Sequence, residues 1–207
     1  MLTQRCLLPA TTRRQENRTQ GRTLERGEMQ ATELLQMLRD MRDVCFATVD
    51  ERGLPQVRVI DVMLVEDGRL YFCTARGKDF HAQLLRFPQV AIAGLNGQWQ
   101  SVRLSGEAKR LPDALQRQTI DRIFEQNPSM EGVYPGESRY VLEAFFLDSG
   151  ELELFDLGRE PVFRQSLALG GGAVREKGFR ITDACMGCGS CQRSCPQKCI
   201  EAGELPA

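Results

Sequence analysis

The sequence predicts a mainly β fold, an antiparallel barrel with peripheral helices, followed by a small cysteine-rich module near the C-terminal end. Three observations carry this. Short apolar runs recur between residues 44 and 155, separated by strong hairpin signals such as Asp67-Gly68 and Asn96-Gly97. Helical periodicity is confined to three stretches, near 29–41, 78–87 and 112–127. Five of the eight cysteines crowd into residues 185–199, a density that marks a separate module. Antiparallel strands at this spacing close into a barrel because closure removes their exposed edges.

At 207 residues, with 42% hydrophobic content, the chain has material for one moderate domain and a small appendage. Its 27 basic and 28 acidic residues leave a formal charge of -1, so nothing draws it toward nucleic acid or acidic membranes. No run has the apolar length of a membrane span, and no secretory signal is visible. A cytoplasmic location without membrane or nucleic-acid partners is therefore expected.

Residues 1–28 carry six arginines among Thr, Gln and Glu, with hardly any apolar residue after Leu8. Such a segment cannot pack a core. A targeting or nucleic-acid-binding arm is one reading; a disordered tail, or sequence upstream of a start at Met29, is the favoured one, because Glu16, Glu25 and Glu28 dilute the charge.

The barrel is expected over 29–158. Leu34, Leu35, Leu38 and Met41 form one face of an opening helix. Strands follow at 44–49, 56–65 and 70–73, then a helix with Phe80, Leu84 and Phe87 on one face, stopped by Pro88. A buried strand at 90–95 precedes a long one at 99–111, in which Val102 and Leu104 face away from Arg103 and Ser105. Pro112 opens a third helix, with Ile120, Ile123 and Phe124 on one face, and strands at 140–147 and 151–155 close the barrel. Residues 159–177, with Gly170-Gly171-Gly172, read as a flexible linker to a module at 178–207.

Several pieces in this order carry a resemblance: Phe46-Ala47-Thr48-Val49, Gln56-Val57-Arg58-Val59-Ile60, Leu70-Tyr71-Phe72-Cys73-Thr74 with Lys78, the segment 84–88, and Val102-Arg103-Leu104-Ser105-Gly106-Glu107-Ala108. Residues 29–158 resemble the FMN-binding split barrel of the pyridoxamine 5'-phosphate oxidase-like superfamily. The resemblance implies a twofold homodimer with FMN at each end of the shared interface. It further implies the FMN phosphate on Arg58, Thr74 and Lys78, and the isoalloxazine near Ile60, Asp61 and Val62, beside Val59. The residue chemistry agrees: Arg58, Thr74, Arg76 and Lys78 are the available cationic and hydroxyl donors, and the last three lead into a helix start whose free N–H groups favour an anion. The alternative for Arg58 and Lys78 is a solvated barrel face. Trp99 either stacks near the flavin or caps the barrel. His81, the sole histidine, reads as a solvated helix residue, Glu151 and Glu153 as a solvated strand face, and Cys45 and Cys73 as small core residues.

The stretch Cys185-Met186-Gly187-Cys188-Gly189-Ser190-Cys191-Gln192-Arg193-Ser194-Cys195-Pro196 has the spacing C-x2-C-x2-C-x3-C-P. Soft thiolates at this density select iron-sulfur or zinc, and zinc sites usually show two separated pairs. A 4Fe-4S cluster is the favoured reading, zinc and disulfides the alternatives. Residues 179–203 resemble a bacterial-type ferredoxin half. With no second half in this chain, Cys195, Cys199 or an external thiol completes the set begun by Cys185, Cys188 and Cys191; Cys195 is favoured.

Together these readings give an FMN- and 4Fe-4S-containing electron-transfer flavoprotein, in class an FMN-dependent oxidoreductase, with no residue required as an acid, base or nucleophile. The expected partner is a small redox donor or acceptor, with a nicotinamide cofactor or a ferredoxin as candidates, although no Gly-x-Gly-x-x-Gly fingerprint is present. The alternatives are a flavin and iron-sulfur redox sensor, and a pyridoxamine 5'-phosphate oxidase-like oxidase. Against the oxidase, the cysteine module occupies the place of that enzyme's substrate-closing C-terminal segment.

Overall fold

The computed structural model describes residues 29–160, 162–175, 184–196 and 200, with the backbone of 5–6 and 179–180. The chain divides into two compact units: Arg18–Val174, and a smaller one formed by Met1–Asn17 with Arg175–Ala207. In chain order, β1 (Arg5–Cys6) belongs to the smaller unit. The larger unit then runs α1 (Ala31–Met41), β2 (Asp43–Val49), β3 (Pro55–Asp61), β4 (Leu64–Glu66), β5 (Arg69–Ala75) and α2 (Asp79–Arg86). It continues through β6 (Gln89–Leu95), β7 (Gln100–Glu107), β8 (Lys109–Arg110), α3 (Asp113–Gln126), two 3-10 turns (Pro128–Gly132 and Gly136–Val141), β9 (Leu142–Leu147), β10 (Gly150–Asp156) and β11 (Phe163–Leu169).

Two antiparallel sheets make a split barrel, as the sequence predicts. One has six strands in the order β11-β10-β7-β6-β2-β3, the other four in the order β4-β5-β9-β8. The chain passes between them at 62–63, through the segment that carries α2, at Ala108 and at 148–149. Inward-facing Phe46, Phe72 and Phe145 are fully buried and meet ring to ring, Phe46 to Phe72 at 4.7 Å and Phe72 to Phe145 at 5.7 Å. Burying each such side chain contributes roughly 1.5–3 kcal/mol. The α1 face of Leu34, Leu35 and Leu38 joins this core. Its close approach to β6 is possible because residue 94 is glycine: a Cβ there would stand 2.5 Å from Met41 Sδ. A second core lies between the four-stranded sheet and α3, built from Met63, Tyr71, Ile120, Ile123, Phe124 and Ala144.

Four expectations need correction. The run 56–65 and the run 99–111 are not single strands; each breaks where the chain leaves one sheet for the other, at 62–63 and at Ala108. The Asn96-Gly97 hairpin does form, β6 pairing antiparallel with β7 through a four-residue turn over 96–99 in which the Asn96 side-chain oxygen accepts from the Gln98 and Gln100 N–H groups at 3.0 Å each and Trp99 is left-handed at φ 63°. The stretch 159–177, expected to be a linker, carries β11, which pairs with β10 along its whole length. Its buried Gln165 accepts from Met29 N and donates to Met29 O, both at 2.9 Å, fastening the start of α1. Cys45, expected in the core, is exposed on the outer sheet face opposite Val59 and Ala93.

In the smaller unit, β1 pairs antiparallel with β12 (Phe179–Arg180), Arg5 opposite Arg180 and Cys6 opposite Phe179. A short helix, α4 (Ser190–Ser194), follows the first cysteines. The rest of the expected tail over 1–28, residues 176–178 and Cys199 lie outside the described residues. Among the described residues, no helix is long and apolar enough to cross a membrane.

Candidate functional site

The crossover at 62–63 and the neighbouring N-terminus of α2 organise the candidate site. β3 is an edge strand, and its residues alternate: Val57 and Val59 point outward, 70% and 63% exposed, while Arg58 and Ile60 point inward. Arg58 is engaged. Its guanidinium donates to Thr48 Oγ1 at 2.7 Å and to Gln83 Oε1 at 2.9 Å, and its Cζ sits 4.4 Å above the Phe80 ring. Burial pulls it below the usual arginine range, with Asp79 opposing.

There is a second polar group. Thr74, buried on β5, stands directly opposite Glu143 on β9. Arg76 donates to the Tyr140 carbonyl at 2.7 Å and approaches Glu143 at 3.5 Å, with about half of its side chain exposed. Lys78 is exposed at the N-cap of α2, and no side chain caps the first turn of that helix. Gly77, at φ 86°, turns the chain between the two cations. Among the described residues Arg58 and Arg76 share no bonding partner, Arg58 being tied to Thr48 and Gln83 and Arg76 to Tyr140 and Glu143.

Sequence reasoning missed the acid at the centre of this second group. Glu143 lies 2.7 Å from His81 Nε2 and receives two bonds from Arg110, at 2.7 and 2.8 Å. The Arg110 bonds, with His81 assisting and burial opposing, hold its carboxyl at about 2. His81, expected to be solvated, is only 12% exposed and edge-on to Phe145. The reason is that α2 turns this face onto β9. A charged residue inside the apolar run Val141-Leu142-Glu143-Ala144-Phe145-Phe146 was the available signal. Glu153, likewise expected to be solvated, is 4% exposed, bonded by Arg103 from β7 and by Arg164 at 3.0 Å from β11. That second arginine comes from the strand the sequence reading took for a linker.

At the crossover, Asp61 faces Asp43 across the β2–β3 ladder. Burial raises its carboxyl, and the hydrogen bond and charge of Asp43 raise it further. The Cys73 thiol is pushed up to about 12 by burial, with Asp61 adding to it, which makes it inert. Val62 is buried, and both of its backbone groups are held: Val62 N donates to Arg42 O at 3.1 Å, and Arg39 Nη1 donates to Val62 O at 2.5 Å. Trp99 is 64% exposed and stands at the far end of β6 and β7. Its neighbour Leu95 is three residues beyond Ile92, the β6 partner of the Phe46–Arg58 pair, or about 10 Å along the strand. Within one chain, Trp99 is therefore not brought beside Arg58.

In the smaller unit, Cys185 and Cys188 lie on one loop, Cys191 on the α4 that follows and Cys195 at the end of that helix. Gly187 and Gly189 adopt left-handed backbone, φ 66° and 68°, and Gly187 N points at Cys185 Sγ at 3.5 Å. The donor set and the loop fit an iron-sulfur cluster. Among the described residues, though, no three metal-ligating side chains stand close enough together to hold a metal.

A family model described as pyridoxamine 5'-phosphate oxidase matches residues 31–140, more than half of the chain. The chain belongs to the pyridoxamine 5'-phosphate oxidase-like family. A second model, described as a 4Fe-4S binding domain, matches residues 179–201. Among solved structures, a NimC/NimA family protein of Clostridium acetobutylicum is similar at 23% identity and TM-score 0.57, over 67% of this chain and 92% of that one. A pyridoxamine 5'-phosphate oxidase-related FMN-binding protein of Nostoc punctiforme is similar at 19% identity and TM-score 0.51, over 68% and 93%. A heme-binding protein of Mycobacterium smegmatis is similar at 16% identity and TM-score 0.52, over 68% and 59%. At these identities the likeness concerns the fold of this family's barrel. No curated protein matches the chain.

Proposed function

We propose that the chain is an electron-transfer flavoprotein that holds FMN in the barrel and a 4Fe-4S cluster in the C-terminal module. The observation that carries this reading is that a barrel of the pyridoxamine 5'-phosphate oxidase-like family and a four-thiol run of ferredoxin spacing occur in one chain. When bound, a flavin supplies one- and two-electron chemistry and a cluster one-electron transfer, so the pair links hydride-type donors to single-electron carriers.

The protein's own part is to bind and orient. Lys78, Arg76 and the uncapped first turn of α2 fit a phosphate, because two accessible cations flank free N–H donors. Thr74 adds a hydroxyl on a rigid strand. Arg58 lies behind Phe80, tied to Thr48 and Gln83, so its contribution to a phosphate requires exchange of one of those bonds. The backbone of 60–62, fixed at the crossover, offers N–H and C=O groups to the polar edge of a ring system. Exposed Val57, Val59 and Cys45 form an uncovered apolar sheet face suited to a twofold homodimer.

The heme-binding neighbour bears on the choice of cofactor, since one fold can serve several. Reconstitution with FMN, riboflavin and hemin in parallel separates them. FMN retained in preference to riboflavin supports the phosphate site; hemin retained in place of FMN overturns it.

A further inference from the structure

The chain crosses from one sheet to the other through Val62 and Met63, and neither carbonyl there has a strand partner, since β3 ends at Asp61 and β4 begins at Leu64. Two side chains from different helices take those places. Arg39, in the last turn of α1, donates to Val62 O at 2.5 Å, and Asn127, just beyond α3, donates to Met63 O at 2.9 Å. The two are joined to each other, Arg39 Nη2 donating to Asn127 Oδ1 at 2.8 Å. Asn127 also donates to Ile123 O at 2.7 Å, which anchors it to the end of α3. The remaining groups are satisfied by backbone: Val62 N by Arg42 O at 3.1 Å, and Met63 N by Tyr71 O at 2.9 Å. Arg42 adopts φ 62° and ψ -79°, a positive-φ conformation rare for a residue with a side chain, and from it presents its carbonyl to Val62.

We propose that Arg39 and Asn127 are positioning residues for the flavin, fixing the peptide groups that follow Val62 and Met63 and through them the adjoining backbone of 60–62, without touching the ligand. This rests on the reading of 60–62 as the flavin-facing backbone. A peptide plane outside a ladder can rotate and exchange the direction of its N–H and C=O groups. A half-buried carbonyl without a donor is also costly enough to drive such a rotation toward water. Locking consecutive carbonyls from two helices removes both freedoms at the point where the strand leaves its sheet. Each helix is held in place independently, α1 by Leu34, Leu35 and Leu38 and α3 by Ile120, Ile123 and Phe124, so the clamp is anchored in both hydrophobic cores.

The test uses the full chain. Asn127→Asp keeps the shape and the acceptor for Arg39 but removes the donor to Met63 O and Ile123 O; Arg39→Met removes the Arg39 bonds to Val62 O, Asn127 Oδ1 and, at 3.4 Å, Gln126 O, and Arg39→Lys restores one donor. FMN affinity is measured by fluorescence quenching, the ring environment by visible circular dichroism of the bound flavin, and folding by thermal unfolding. Asn127→Asp and Arg39→Met are expected to weaken FMN binding about tenfold to a hundredfold, the range for loss of an orienting partner. The flavin dichroism should change as well, and Arg39→Lys should recover most of both signals. Parent affinity and dichroism in Asn127→Asp and Arg39→Met would overturn the inference, as would a loss that merely follows the unfolded fraction. A parent protein that binds no FMN overturns the underlying flavin reading as well.

Discussion

His81 Nε2 lies 2.7 Å from Glu143 Oε2, so the sole histidine of the chain joins α2 to β9 through a carboxylate that Arg110 already grips twice. The arrangement fixes the N-terminus of α2, and with it the flank where Arg76 and Lys78 are accessible. It also sets a pH dependence. A carboxyl held at about 2, from an ordinary value of 4.5, contributes stability fully above 4.5 and loses it as pH falls toward 2.

Glu143→Gln should therefore destabilise the barrel by roughly 1.5–3 kcal/mol at neutral pH, the worth of a hydrogen bond to a charged group. Thermal unfolding of parent and variant checks this. The gap between them should close between pH 4.5 and about 2.

For the anion site, Arg76→Ala with Lys78→Ala should weaken FMN by about a hundredfold, two charge-assisted bonds at the lower end of their usual worth. Riboflavin binding should change little. Fluorescence titration with both ligands provides the comparison, and equal losses for the two would relocate the phosphate. Arg58→Ala differs, since it also removes the bonds to Thr48 and Gln83, and a lower melting temperature should accompany any loss of flavin.

How much of this was legible in the sequence depended on what periodicity can report. The α1 face and the alternation of β7 were readable because one side of each is buried and the other is not. The crossover at Val62 and Met63 was invisible, since an apolar run looks the same whether it stays in one sheet or passes to the next. Arg39 and Asn127 were missed for the same reason: the groups they serve are backbone carbonyls, which leave no mark on sequence. β11 was hidden by Arg164, Gln165 and Ser166, which read as polar linker; yet Gln165 is buried and Arg164 holds Glu153. Cys45 was assigned to the core from its apolar neighbours, although the period of two turns it outward from Val44 and Phe46.

That strand changes where the chain can be cut. A chain ending at Gly158 lacks β11 and the Gln165 contacts to Met29, and should be markedly less stable than one ending at Val174. The Val174 truncation should still bind FMN and sediment as a dimer. Sedimentation and calorimetry of the two truncations decide the point, a flavin-binding monomer counting against the shared interface.

Close packing at the β7–β10 contact gives a sharper local test. A Cβ on Gly106 would stand 2.4 Å from the Ser149 carbonyl, whereas one on Gly97 meets nothing within 4 Å. Gly106→Ala should cost roughly 1–3 kcal/mol. Gly97→Ala should leave the melting temperature nearly unchanged.

In the cysteine run, Cys195 follows α4 directly, whereas Cys199 lies outside the described residues. Cys195→Ser should reduce iron and sulfide after anaerobic reconstitution, and Cys199→Ser should not. The reverse pattern would transfer the fourth ligand to Cys199.

Whether one chain carries two redox centres is read from an anaerobic reductive titration of the reconstituted 207-residue protein, followed by absorbance. Uptake of about three electrons per chain is expected, two by the flavin and one by the cluster. The uptake should fall to about two in a Cys185→Ser, Cys188→Ser variant that keeps its flavin. Saturation of the parent protein at about two electrons, or at about one, would contradict the two-centre reading by leaving only one of the centres in place.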